Sequence, residues 1–213
     1  MSDTVKRQYR SARRASTAAA TRSRIREAAA LQFIEKGYVA TTMRGVAAAA
    51  GIGERTLYDA FPTKASLFSH TLGVATVGDE QPVPVADRPE VVRTQHAGTP
   101  AESLTDLIVY STDLLERAGD LIMVSIQATG ADPDMKAAAD AGARATHQVY
   151  LTATQALQQR GALRAGVDAQ MAADVMFALC SPQSHHVLRR VRGWTATKYR
   201  SWLAETLAEQ LLR

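Results

Sequence analysis

The residues best suited to chemistry lie together at positions 42–67, in the segment TMRGVAAAAGIGERTLYDAFPTKASL. The segment predicts two short helices, at 43–50 and 54–60, joined by a turn that begins at Gly51. Its small alanines allow the two helices to cross closely, which is helix-turn-helix geometry. The second helix is short and polar, as a helix that reads base edges in a major groove should be. Arg55 is the best candidate for a base contact, because its planar guanidinium matches O6 and N7 of guanine.

Other combinations of potentially reactive residues in the sequence are weak evidence for a functional site. Gly51 and Gly53 begin like a dinucleotide-binding loop, but Thr56 stands at the third glycine position and no predicted strand precedes it. His185 and His186 are adjacent, so on a helix they would point about 100° apart and would not chelate one metal. We expect both histidines at the surface or at an interface. With no nucleophile elbow, zinc-protease helix or paired carboxylates, the sequence predicts no enzyme, no metal and no cofactor.

The single cysteine, Cys180, leaves no internal disulfide and no cysteine-only metal site. We expect it to be a small buried apolar residue, reduced in a cytoplasmic compartment. Apolar residues make up 46% of the 213 residues and charged ones 22%, as is usual for globular proteins. The longest uncharged apolar stretch, 121–131, is about half of the ~20 residues that a membrane-spanning helix needs, so no membrane partner is expected.

Charge is unevenly distributed along the chain. Residues 1–65 contain twelve Lys and Arg against five Asp and Glu, which gives +7. Residues 66–213 contain thirteen against sixteen, which gives −3, and the sum is the formal +4. A basic head on a mildly acidic body favours a polyanionic partner such as nucleic acid, the alternative being a solvated charged surface. Residues 1–20 lack an apolar stripe and predict a mobile basic arm that follows a groove or phosphates, or else a solvated tail.

Helical periodicity dominates the chain, and strand signals are scarce. We predict an all-α fold of about nine helices, in which 1–20 form the arm, 21–67 a three-helix head and 68–213 a helical body. The first helix should begin at Thr21 and end near Gly37.

Within the body, the proline-rich stretch 78–100 predicts a long loop. Capping residues and apolar periodicity predict further helices at 101–118, 120–127, 133–160, 168–192 and from 196 onward. Pro182 should kink the helix at 168–192.

A family resemblance covers residues 21–67. The features that carry it are Ala-Ala…Phe…Lys-Gly-Tyr at 28–38, Thr41-Thr42, Ala47…Ala50-Gly51, Leu57-Tyr58…Phe61 and Lys64…Leu67. These spacings resemble the DNA-binding head of the tetracycline-repressor (TetR) family of bacterial transcription regulators. The segment 181–212 also looks like a recurrent tail of one branch of that family. The head departs from the family at Gly45, at Ala60 and at Gly53, where the usual Ser or Thr would be a better helix cap by roughly a few tenths of a kcal/mol.

The resemblance assigns DNA contacts to the head. Tyr58 resembles a phosphate contact through its hydroxyl and Lys64 another, while Thr56 would touch a thymine methyl or a phosphate. The alternative is that Tyr58 and Thr56 pack against Phe61 and Phe33. The expected DNA-contacting residues are Thr42, Arg44, Glu54, Arg55, Thr56, Tyr58 and Lys64.

The resemblance also implies a homodimeric, ligand-responsive transcription regulator in the cytoplasm at the nucleoid, a repressor in preference to an activator. Two heads would occupy successive major grooves of a pseudo-palindromic operator, and the last two helices would pair with their copies as a four-helix bundle. The alternatives are an enzyme with a vestigial head and a non-specific nucleoid protein. The expected dimer contacts are Met176, Leu179, Gln183, Tyr199, Leu203, Thr206 and Gln210.

An effector cavity is expected in the body, because its helices carry more large apolar groups than pairwise packing needs. Few charges fall on these faces, so the effector should be apolar, weakly polar or aromatic rather than strongly charged. The alternatives are a filled core of the same residues and, for His147, a satisfied core or surface histidine. The expected pocket residues are Leu107, Ile108, Tyr110, Leu114, Met123, Ile126, His147, Tyr150, Met176 and Phe177.

Overall fold

The computed structural model describes residues 2–79, 88–89, 91–92 and 98–213, with side chains from residue 17 onward. This part of the chain is helical apart from turns and an isolated bridge, which confirms the predicted all-α class. Its α-helices are α1 (Ser2–Ala40), α2 (Met43–Ala49), α3 (Glu54–Ala60), α4 (Lys64–Val77), α5 (Pro100–Ala128), α6 (Pro133–Gln159), α7 (Ala169–Leu179), α8 (Pro182–His185) and α9 (Ala196–Leu211). A π-helical stretch, His186–Val191, continues α8.

Two compact units divide the chain, Met1–Gly73 and Val74–Arg213. We call the first the head and the second the body. Among the described residues, no helix combines the length and the apolar character that crossing a bilayer requires.

The first helix begins much earlier than the sequence analysis expected. α1 starts at Ser2 rather than at Thr21. Residues 2–20 contain no glycine or proline and are rich in Ala, Arg and Ser. Once a helix exists, each further residue adds one hydrogen bond at little entropic cost, so a polar stretch can extend it without an apolar stripe of its own. The regular helix ends where predicted, because Gly37 adopts φ +76°.

The head is held by an apolar centre that all of its helices share. Phe33 and Phe68 meet edge to face with ring centroids 4.9 Å apart, and Tyr38 lies 5.5 Å from Phe68. Leu57 of α3 and Val46 of α2 are fully buried in this unit. The core therefore fixes the inner faces of α2 and α3 and leaves their outer faces to solvent.

Local capping sets the ends of the short helices. The Thr42 hydroxyl accepts a bond from the Gly45 amide at 3.1 Å, which begins α2. Gly53 precedes α3 without a side-chain cap, as its sequence required. Thr63 and Ser66 exchange side-chain and amide hydrogen bonds of 3.0 and 3.2 Å at the start of α4. These caps explain why the predicted bounds of the motif were accurate to within one residue.

The body contains one long helix where the sequence suggested two. α5 runs without interruption through Gly119, between the predicted helices 101–118 and 120–127. Gly119 is buried, and a Cβ added there would lie 3.1 Å from Nδ1 of His185. The glycine therefore permits close approach of another segment and does not break the helix. Thr99 and Glu102 form a capping box at the start of this helix.

Pro182 ends a helix instead of kinking it. α7 stops at Leu179, and the Ser181 hydroxyl accepts the Ser184 amide at 3.1 Å to begin α8 with Pro182 in its first turn. Proline has no N–H and clashes with the preceding turn, so a new helix start costs less than a kink when a serine cap precedes it.

Some residues of the predicted loop 78–100 form tertiary contacts. Residues 80–87, 90 and 93–97 lie outside the described residues. Arg88 is buried and donates two hydrogen bonds to the Asp79 carboxylate, at 2.8 and 3.0 Å. Val91 beside it is fully buried.

Candidate nucleic-acid interface

The outer face of α3 is an exposed polar surface of the helix-turn-helix. Leu57 of α3 and Phe61 just after it are buried, whereas Arg55, Thr56 and Tyr58 are exposed, Tyr58 to 48%. The alternative in which Thr56 and Tyr58 pack into the core therefore does not fit. A guanidinium, a hydroxyl and a phenol on one short helix offer donors for base edges and phosphates.

An ion pair links the two helices of the motif at the surface. Nε of Arg44 lies 3.6 Å from the Glu54 carboxylate, and the Arg44 side chain is 87% exposed. Such an exposed pair contributes little to stability, so Arg44 is free to exchange Glu54 for a phosphate. Glu54 itself would repel a phosphate, which leaves it the role of holding Arg44 beside α3. Thr42 uses its hydroxyl as the cap of α2 and is exposed as well.

Lys64 has a structural role that the sequence analysis did not find. Its ammonium donates to the carbonyls of Tyr38, Val39 and Thr41, at 2.9, 3.2 and 3.2 Å. It also lies 4.5 Å from the centroid of the Tyr38 ring. All three N–H donors are thus engaged within the head, where they satisfy carbonyls at the end of α1 and just after it. The phosphate contact predicted for Lys64 would require some of these bonds to be exchanged.

We expect Lys64→Met to lower the free energy of unfolding by about 2 kcal/mol, because three carbonyls lose a charged donor. Urea unfolding of the full chain, followed by circular dichroism, measures this change. Lys36→Met is the matched control, since Lys36 is exposed on α1 and bonds only to a nearby glutamine among the contacts described. Equal free energies of unfolding for the two variants would contradict the structural role of Lys64.

The head resembles a known protein family in sequence. Residues 25–71, which include α2, α3 and the start of α4, match the sequence profile of bacterial regulatory proteins of the TetR family. This match lies within the head and does not extend into the body.

Solved structures of TetR-like fold cover almost the whole chain. NalD of Pseudomonas aeruginosa, described as the secondary repressor of the MexAB-OprM multidrug efflux pump, is 24% identical, with a TM-score of 0.70 over 92% of this chain and 98% of NalD. SmeT in complex with triclosan is 18% identical, with a TM-score of 0.70 over 91% and 92% of the two chains. MbdR of Azoarcus sp. CIB is 21% identical, with a TM-score of 0.73 over 91% and 100%. At these identities the likeness establishes the fold. No curated protein matches the chain in sequence.

The body carries an ion-pair cluster that the sequence analysis missed. The Glu116 carboxylate of α5 accepts bonds from Nε2 of His185 at 3.0 Å and from Nη2 of Arg189 at 2.8 Å. One turn further along α5, Asp120 accepts a bond from Arg190 at 2.8 Å. Arg200 pairs with Asp113 on the same side of the helix. The carboxylates follow helical spacing, but nothing local to them indicates which distant arginines they meet.

His185 corrects the expectation of a surface histidine. Its side chain is 1% exposed and stands edge-on to the Tyr199 ring, with centroids 5.4 Å apart. Burial lowers the pKa of His185, and the bond to Glu116 opposes that shift. Because ionised Glu116 can only accept, Nε2 of the neutral imidazole carries the proton of this bond.

Glu116→Gln should cost about 2 kcal/mol of stability at pH 7, because Arg189 and His185 lose a charged acceptor that is only partly screened by solvent. The hydrogen bond from Arg189 and, to a smaller extent, that from His185 lower the pKa of Glu116 from 4.5 to about 2, while burial opposes this shift. Between these values the unfolded state binds more protons than the folded state, so this stabilisation is lost as the pH falls. The stability difference between the wild type and the variant should therefore shrink from pH 5 towards pH 2 in urea unfolding. The exposed Glu205→Gln is the control, and a constant difference would contradict the assignment.

The predicted pocket residues fall into two groups. Leu107, Ile108, Tyr150 and Met176 are buried in one cluster of the body core, and the Tyr150 hydroxyl donates to Ser111 at 3.1 Å. The half-buried members are Tyr110, Leu114, Met123, Ile126, His147 and Phe177. The pocket remains a prediction of the sequence.

His147 already has partners within its own chain. Its Nε2 lies 2.8 Å from the Asp174 carboxylate, and its ring stands edge-on to Phe177. This arrangement fits the alternative of a satisfied histidine better than that of a ligand anchor.

The predicted dimer face needs correction. Met176, Tyr199 and Leu203 are each 0% exposed in the single chain, so they face its core and not a partner. Their stripe on α7 and α9 is the side that packs against the rest of the body. Of the other predicted contacts, Gln183 and Gln210 are exposed, and Leu179 and Thr206 are half-buried. Among the described residues of the body, the large apolar side chains that are exposed are Val92, Met171, Val187 and Val191, at 40%, 53%, 50% and 67%.

Proposed function

We propose that the chain is a homodimeric repressor that binds a pseudo-palindromic operator and is released by a small apolar effector. The observation that carries this is the outer face of α3, where Arg55, Thr56 and Tyr58 stand exposed on a head of TetR-family sequence. A short helix with this composition suits the major groove. Such a protein would act in the cytoplasm, at the nucleoid.

The proposed homodimer explains the apolar surface of the body. Val187 and Val191 are four residues apart on the π-helical stretch, and each is at least half exposed. Met171 on α7 is another large apolar side chain in water. A second copy of the chain that covers these side chains would bury them and would place two heads on one operator.

The effector proposal has support from two fold relatives. NalD is described as a repressor of a multidrug efflux pump, and SmeT has been solved with triclosan, an apolar aromatic molecule. In this chain, Tyr110, Leu114, Met123 and Ile126 are half-buried on α5 and would line a site for a molecule of that kind. A tyrosine hydroxyl among aliphatic groups and a methionine suits a weakly polar ligand.

Selection from a random pool of DNA duplexes tests the repressor proposal. The expected consensus contains two half-sites related by a two-fold axis, because two equal heads read it. Failure to enrich any consensus would leave the non-specific nucleoid protein as the better function. Placing the selected operator upstream of a reporter then separates repression from activation by the sign of the change.

Triclosan is the first probe for the effector. If it occupies the body and favours the released state, it must raise the melting temperature and weaken operator binding, and operator must weaken triclosan binding by the same factor. A wider set of apolar aromatic compounds follows. Compounds that stabilise the protein without any effect on operator affinity would contradict effector release while leaving DNA binding intact.

A further inference from the structure

Within the head, α1 exposes large apolar side chains on the side that faces away from the core. Leu31 is 70% exposed and Ile34 46%, whereas Ile25, Ala29 and Phe33 of the same helix are buried. At about 100° per residue, Leu31 points about 160° away from Ala29 and about 60° away from Ile34. The helix is therefore apolar on two sides, of which one is in water. A contiguous apolar face in water is typical of an interaction site.

Charged side chains flank this apolar pair on the same side of the helix. Arg24 and Glu27 precede Leu31 by seven and four positions, and Glu35 follows it by four, which is helical spacing. All three charged residues are exposed. Within the part of the chain that the structure describes, neither Arg24 nor Glu35 has an ion-pair partner. We call Arg24, Glu27, Leu31, Ile34 and Glu35 the outer face of α1.

We propose that the outer face of α1 pairs with the same face of a second copy of the chain, with the two helices antiparallel. This contact joins two heads and is separate from the contact between bodies proposed above. A contact between identical surfaces requires a self-complementary surface. The outer face of α1 is one, because a cation stands at one end, a carboxylate at the other and apolar groups between them. The carboxylates of Glu27 and Glu35 disfavour nucleic acid as the occupant.

Antiparallel pairing matches the charges of the two copies. If the pair is centred between residues 29 and 30, Arg24 and Glu35 lie equally far from the centre, about 8 Å along the axis. Arg24 of each copy then stands opposite Glu35 of the other, which gives two ion pairs. The two Leu31 side chains are about 4.5 Å apart along the axis and pack in the middle. A parallel pair would instead place like charges side by side, which opposes that arrangement.

The apolar centre supplies the affinity of this contact, and the ion pairs set its orientation. Exposed ion pairs contribute little to affinity, whereas an apolar centre within a polar rim is typical of interfaces. Two single helices bury much less than the about 1,600 Å² of a standard interface, so the contact is weak on its own. Two dimers bound at neighbouring operators would raise its effective concentration. This last step rests on the proposed function, but the pairing of heads does not.

Sedimentation of the full chain without DNA, over a wide range of protein concentrations, tests the pairing. Leu31→Glu places two carboxylates at the centre of the contact and leaves the core of the head intact, since Leu31 is exposed. The largest assembly of the wild type should be twice that of this variant: a tetramer against a dimer, or a dimer against a monomer if the bodies do not pair. Val39→Glu is the matched control and should keep the wild-type assembly. Val39 is 69% exposed in the head but lies beyond Gly37, where the regular helix ends.

Charge reversal tests the antiparallel register. Arg24→Glu or Glu35→Arg alone places like charges opposite each other twice in the pair, so each should lower the association constant about tenfold. The two changes together restore opposite charges at both places and should return the constant to near its wild-type value. Circular dichroism checks that each variant is as helical as the wild type.

Two results would overturn the proposal. If Leu31→Glu has the assembly size of the wild type at every concentration, the face does not pair with a second copy, and another protein is the occupant to seek. If the combined charge reversal associates as weakly as the single ones, the helices are not antiparallel in this register. Failure of the proposed function is seen separately, as operator selection without a consensus, and does not affect sedimentation without DNA.

Discussion

Leu203→Asp should unfold the body and should not yield a folded monomer. Leu203 is 0% exposed and packs in the cluster that contains Met176, Tyr199 and Leu207. The substitution removes a buried leucine, which alone costs about 2–5 kcal/mol, and places a carboxylate without a partner in an apolar core. The sum is comparable with the whole stability of a typical domain, about 5–15 kcal/mol. Circular dichroism and sedimentation should therefore show lost helix and aggregation.

Ser201→Asp is the matched control, because Ser201 is exposed on the same helix, two residues away. It should remain folded with the wild-type oligomeric state. A Leu203→Asp variant that is fully helical and monomeric would mean that Leu203 faces a second copy, as the sequence alone suggested. The pair of variants thus distinguishes a core position from an interface position.

Helix ends were largely predictable because the signals that set them are local. Asp132 accepts amide bonds at the start of α6, Asp168 does so for α7, and Thr195 for α9. In each case a side chain acts on an amide two or three residues later, so a short window of sequence contains the whole interaction. Thr99 and Glu102 act in the same way at the start of α5.

Whether an apolar helix face packs into the core or against a second copy could not be predicted from that face alone. Tyr199 and Leu203 form a stripe of the kind that lines either a core or a dimer contact, and periodicity is the same for both. The outcome depends on which other helices pack against the stripe, and those helices are distant in sequence. For this reason Met176 was predicted both as a pocket residue and as an interface residue. In the structure it is a core residue.

Long-range polar contacts also could not be predicted from the sequence. Glu116 and His185 are 69 residues apart, and Lys64 reaches carbonyls 23 to 26 residues before it. The charge pattern shows that Glu116 is available for pairing but does not select its partner. Gly119 illustrates the same limit, because a glycine that admits His185 has the same sequence signature as a helix breaker.

Arg55→Ala is expected to remove base discrimination at one position of each half-site. Arg55 is exposed on α3, while Leu57 and Phe61 on its inner side are buried, so the truncation leaves the core of the head unchanged. A bidentate contact to guanine contributes about 1–3 kcal/mol of discrimination. That corresponds to roughly 5- to 150-fold for one half-site, and a dimer loses it twice.

Arg44→Ala provides the contrast, because we predict that this exposed arginine at the start of α2 contacts a phosphate and not a base edge. It should weaken binding to all sequences by a similar factor and make the salt dependence shallower by about one contact. Selection from a library with both half-sites randomised measures the two effects together: Arg55→Ala flattens the preference at one position per half-site, and Arg44→Ala leaves every preference in place. If Arg55→Ala retains the wild-type base preference at every position, another residue of α3 reads the base, and Thr56 and Tyr58 are the next to be substituted.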